Sequence, residues 1–77
     1  MHDGGMANEN LRVKFGKRIR QLRLKHGWEQ ADLAAHSGFG RVFISNLERG
    51  KHEPRLGTIK AFADSFGISM SKLLSGF

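Results

Sequence analysis

Apolar residues recur along most of the chain at the spacing of an α-helix rather than a strand. Leu11, Phe15, Ile19 and Leu22 form one such stripe. It predicts a first helix from about Glu9 or Leu11 to His26, capped by Asn8 or Asn10 and stopped at Gly27. Leu33 and Ala34 face inward in a predicted second helix from Gln30 to His36, with Gly38 beyond its end. A third runs from Gly40 or Arg41 to Arg49 and stops at Gly50. After Pro54, the residues Ile59, Phe62, Ala63 and Phe66 fall at i, i+3, i+4 and i+7. That is the stripe of a fourth helix over Leu56 to Phe66, ended by Gly67. A fifth is short, Met70 to Ser75, with Ser69 as its cap. No segment alternates at period two for the length of a strand, so the expected fold class is all-α, one compact five-helix domain over residues 9–77. Residues 1–8 (MHDGGMAN) lack periodicity and are expected to be a disordered tail.

The densest pattern lies in residues 30–47, which read Gln-x-x-Leu-Ala-x-x-x-Gly-Phe-x-x-x-x-Ile-Ser-x-Leu. Two short helices that cross steeply need a tight turn, and Gly38 supplies a residue that accepts positive φ. Ala34 is small enough for a close crossing, and Leu33, Ile44 and Leu47 close the core beneath it. This spacing predicts a helix-turn-helix. On a wheel of about 100° per residue, Phe39, Phe43, Ile44 and Leu47 share one arc and Arg41, Val42, Ser45 and Asn46 the opposite one. A valine on an outward polar face is explained if the face enters a DNA major groove, where it can touch a thymine methyl. Arg41 can then bond guanine and Asn46 adenine. Single exposed apolar residues are also common on solvated faces.

Composition narrows the functional classes. The chain has 77 residues, 13 Lys and Arg against 7 Asp and Glu, a net charge of +6, one proline and no cysteine. Disulfides and thiolate metal sites are excluded, and His26, His36 and His52 show no zinc-ligand spacing. No metal or cofactor is expected. Apolar runs are too short to span a membrane. No nucleophile–base pair stands at a recognisable spacing, so an enzyme is not expected and no catalytic residue is assigned. The positive charge suits an anionic partner, although charge can also serve solubility alone. Arg12, Lys14, Lys17, Arg18, Arg20, Arg23 and Lys25 spread around the first helix rather than forming one stripe, so only some can face a partner.

The run Leu22-Arg23 … Gly27-Trp28-Glu29-Gln30-Ala31-Asp32-Leu33-Ala34 … Gly38-Phe39 … Phe43-Ile44-Ser45-Asn46-Leu47-Glu48-Arg49-Gly50 … Pro54 … Leu56-Gly57-Thr58-Ile59 resembles the lambda-repressor-like (Xre-type) helix-turn-helix family. The resemblance covers residues 11 to about 75. It implies a five-helix DNA-binding domain that binds palindromic operators as a homodimer and regulates transcription, with a cytoplasmic, nucleoid-associated location. The compact form resembles restriction–modification controllers and small phage repressors. A toxin or RNA polymerase is the alternative partner, for an antitoxin or protein-interaction module of the same fold. The length leaves no room for a separate sensor domain, so no small-molecule effector is expected.

By position, the resemblance assigns base reading to Arg41, Val42 and Asn46. Contacts to the DNA backbone fall to Gln30, Gly40, Ser45, Arg49 and Lys51, and Arg55 and Lys17 are further candidates, with Arg12 and Lys14 beside Lys17. Phe43 stands where tyrosine is frequent, and without the hydroxyl its role is packing. Arg23 and Glu48 match a pair that forms an internal salt bridge; the alternative is two surface charges, with Glu48 paired to Lys51. Met70, Leu74 and Phe77 are the expected dimer contacts, while Ile68 and Leu73 pack internally. Glu29 and Arg55 depart from the small caps usual before the second and fourth helices.

Overall fold

The computed structural model describes residues 4–77, and the side chains of residues 11–77. Five helices and no strand occur among them: α1 (Gly4–Lys25), α2 (Gln30–Ser37), α3 (Arg41–Glu48), α4 (Leu56–Phe66) and α5 (Met70–Leu73). The tail expected over residues 1–8 lies outside the described residues at positions 1–3, whereas Gly4 to Asn8 continue α1. A nucleated helix extends at little cost where no proline or cap stops it. Asn8 and Asn10 therefore sit inside the helix instead of capping it.

One core joins all five helices. Phe15 and Ile19 of α1, Leu33 of α2, Ile44 and Leu47 of α3, Phe62 of α4 and Leu73 of α5 are almost wholly buried. Leu11 is the exception in the α1 stripe, at 48% exposed. It lines a groove with Phe15, Pro54, Ile59, Leu74 and Phe77. Phe39 and Phe43 are half-buried, with ring centroids 5.0 Å apart, and Phe39 reaches Phe62 at 5.3 Å. Phe43 also stacks on His52.

The turn between α2 and α3 is built as its residues require. Gly38 adopts φ 82°, a left-handed conformation that side chains disfavour, and its N–H donates to the Ala34 carbonyl at 3.0 Å. At the start of α2, Asp32 compensates for the weak cap at Glu29, accepting the Glu29 N–H at 2.8 Å. Ser69 caps α5, accepting the Lys72 N–H at 3.0 Å.

α3 packs on both α1 and α2. The contact with α1 is backbone to backbone at Gly16. A Cβ there would lie 2.8 Å from the Glu48 carbonyl oxygen and closer still to that of Leu47. Only glycine permits this approach.

Candidate nucleic-acid interface

The end of α3 is fastened from beneath by a buried ionic cluster. Arg23 Nε donates to Glu48 Oε2 at 2.7 Å and Arg23 Nη2 to Glu48 Oε1 at 2.9 Å, a bidentate pair whose side chains are 9% and 4% exposed. The third arm, Arg23 Nη1, donates to the Trp28 carbonyl at 2.8 Å. Gln30 Nε2 adds a bond to Glu48 Oε1 at 3.2 Å. The cluster thus ties α1, the loop before α2, the first residue of α2 and the last of α3. Its hydrogen bond to Glu48 raises the Arg23 guanidinium above its ordinary value, with burial pulling the other way. Glu48 does not pair with Lys51, which is exposed.

Above this anchor, α3 presents its other face. Arg41 is exposed and Val42 is 67% exposed, while Ser45 and Asn46 are half-buried. Gly40 is exposed as the residue before the first turn of α3. Two polar clefts flank Gln30. One, of about 250 Å³, runs from Arg23 and Glu29 to Arg41. The other, of about 200 Å³, is lined by Arg20, Arg23, Gln30, Ser45, Glu48 and Arg49. The structure therefore gathers Gln30, Arg41, Ser45, Asn46 and Arg49 on one side of the molecule. Lys51 and Arg55 lie exposed on the connection from α3 to α4, and Lys17 is exposed on α1. None of these three donates a side-chain hydrogen bond among the described residues. Arg49 does: its Nη2 donates to Asn46 Oδ1 at 2.5 Å.

The basic residues of α1 divide sharply. Arg18 donates to the Leu73 and Lys72 carbonyls, each at 3.0 Å, and so caps the end of α5. Lys14 donates to the Gly76 carbonyl at 3.1 Å and lies over the Phe77 ring. Arg12 pairs with Glu53 at 3.4 Å. Arg12 and Lys14 are thus engaged within the chain, because the α3–α4 connection and the residues after α5 close against that side of α1. Arg20 went unassigned by the sequence, yet it faces the cleft beside Ser45 and Arg49. The signal was available: Gly16, Arg20 and Arg23 stand at i, i+4 and i+7, the α1 face against α3.

At the far side, Met70 and Leu74 are half-buried against the core. Both pack against the core, while Ser71 and Lys72 carry the exposed side of α5. Phe77 is 44% exposed, its ring edge-on to Phe15 at 6.4 Å.

Comparisons with known proteins bear on the fold that carries this face. A helix-turn-helix family model matches residues 19–73. The chain is 34% identical over 64 residues to the HTH-type transcriptional regulator DdrOP3 of Deinococcus deserti, covering 83% of this chain and 50% of that protein. The chain therefore spans half the length of that relative. It is 35% identical over 66 residues to the control protein C.BamHI of Bacillus amyloliquefaciens, covering 84% of this chain and 82% of the other. Among solved structures, the restriction-modification controller protein C.AhdI of Aeromonas hydrophila superposes with a TM-score of 0.75 at 38% identity, over 79% of this chain and 92% of that one.

Proposed function

The chain belongs to the helix-turn-helix family, and from that premise we propose that it is a sequence-specific, double-stranded DNA-binding regulator of transcription. α3 enters the major groove, and two copies bind a palindromic operator with half-sites roughly 34 Å apart. The observation that carries this reading is Val42, a 67% exposed apolar side chain between the exposed cation Arg41 and the polar Ser45 and Asn46. A groove offering guanine acceptors and thymine methyls accounts for that combination.

Placement supports the following roles. Arg41, Val42 and Asn46 read bases. Gln30, Gly40, Ser45, Lys51, Arg55 and Lys17 meet phosphates, and Arg20 joins them from the cleft beside Ser45. Phosphate contacts set affinity and register, while base contacts set sequence. The buried Arg23–Glu48 pair holds α3 at a fixed height over α1 and so fixes how deeply the reading face projects. The dimer is assigned to Met70, Leu74 and Phe77. The groove that Leu74 and Phe77 share with Leu11 gives a second copy an apolar seat. The likeness to restriction–modification controllers makes an operon of that kind the first place to seek the operator.

Selection from a random duplex pool tests the reading. A twofold-symmetric sequence is expected to enrich. Failure to enrich any duplex would refute DNA reading and leave a protein partner, a toxin or RNA polymerase, as the use of the fold.

A further inference from the structure

Asn46 does not face the groove as a free amide. Arg49, one turn later, donates to its Oδ1. A guanidinium carries only donors, so the atom turned toward it must be the amide oxygen, and the amide NH2 then points away. The bond is charge-assisted, roughly twice as strong as a neutral one. Arg49 is exposed and has no other side-chain partner among the described residues, so nothing within the chain draws it off Asn46.

This changes what Asn46 can read. The paired contact of an asparagine with adenine uses both amide groups, oxygen to N6–H and nitrogen to N7. With one lone pair of its oxygen engaged by Arg49, Asn46 turns its NH2 outward, so its two donor hydrogens are the groups best placed to meet a base edge. Such a group fits the keto edges in the major groove, guanine O6 with N7 or thymine O4. Adenine meets it with one acceptor, N7, beside the N6 amine, and cytosine with an amine alone, so both suit it less well. We infer that Arg49 is a specificity-determining positioning residue, which fixes Asn46 as a donor and so directs it to a keto base in place of adenine. This inference rests on the proposed placement of α3 in the major groove.

The test is selection from a random duplex pool with the wild-type chain and the variants Asn46→Ala, Arg49→Met and Arg49→Lys. The position read by Asn46 is the one whose preference Asn46→Ala flattens. There the wild type is expected to select guanine or thymine. Arg49→Met, which keeps the bulk but has no donor, shifts the ratio toward adenine by about tenfold, the scale of one good base contact. Arg49→Lys, again a donor only, restores the keto preference in part. Adenine selected by the wild type at that position would overturn the inference. So would an Arg49→Met variant that weakens all sequences alike, or an Asn46→Ala variant that flattens nothing. Those results leave an enriched sequence in hand and so differ from failure of the parent reading, in which no duplex enriches at all.

Discussion

Replacing Glu48 by glutamine tests whether the recognition helix is anchored from below. The two carboxylate oxygens of Glu48 accept three donors, two from Arg23 and one from Gln30, in surroundings that leave the Glu48 side chain 4% exposed. An amide keeps one acceptor, turns an NH2 toward a donor that then has no partner, and leaves the Arg23 cation buried without a counter-charge. Removing one partner of a buried pair costs about 3–5 kcal/mol, and the remaining amide oxygen places this change near the lower end, about 3 kcal/mol. In a domain of this size about 1 kcal/mol corresponds to roughly 4–8 °C, so Tm falls by roughly 12–24 °C. Thermal melting followed by circular dichroism reads this directly. A fall under about 4 °C, the effect of an exposed pair, would refute the argument. A paired control sharpens it. Arg23→Met combined with Glu48→Met removes both charges and is expected to melt above either single charge deletion, because the cost lies in the uncompensated ion. A double variant that melts below both singles would contradict that cause.

Gly16→Ala forces a methyl against the Leu47 and Glu48 carbonyls and is expected to destabilise by about 1–3 kcal/mol, read by the same melt; an unchanged Tm would remove the backbone contact from the account. Lys51→Ala weakens specific and scrambled duplexes equally and lowers the slope of log affinity against log salt by about one, measured by anisotropy titration; a change in sequence preference would reassign Lys51 to base reading. Leu74→Glu places a charge in the groove beside Phe77 and Leu11 and is expected to shift sedimentation toward monomer while the helical signal persists; a wild-type chain that stays monomeric at all concentrations, with and without operator, would remove the dimer.

Much of this was legible in the sequence because it depends on local spacing. The stripes at Ile59, Phe62, Ala63 and Phe66 and at Phe15, Ile19 and Leu22 place helices whose inner faces are buried where the period puts them. Gly38 marks the turn because only one backbone conformation serves there. What escaped depends on where distant segments dock. Lys14 and Arg18 look like any helix cations until α5 and the residues after it bring their carbonyls to them. Gly16 looks like a weak helix residue until α3 lies against it. Leu11 fits its stripe but lines a surface groove beside Leu74 and Phe77. The Arg49–Asn46 bond was within reach, since residues three apart on a helix are neighbours. The sequence does not single it out, because both residues also suit partners on the DNA.

Base reading by the exposed face of α3 stands or falls with Arg41. The measurement is the affinity ratio between the selected duplex and its scrambled counterpart, at one salt concentration, for the wild type and Arg41→Ala. Loss of one bidentate base contact of about 1–3 kcal/mol predicts a ratio that falls roughly five- to a hundredfold, with scrambled-duplex binding changed far less. An equal loss on both duplexes would place Arg41 on the phosphates and contradict the account.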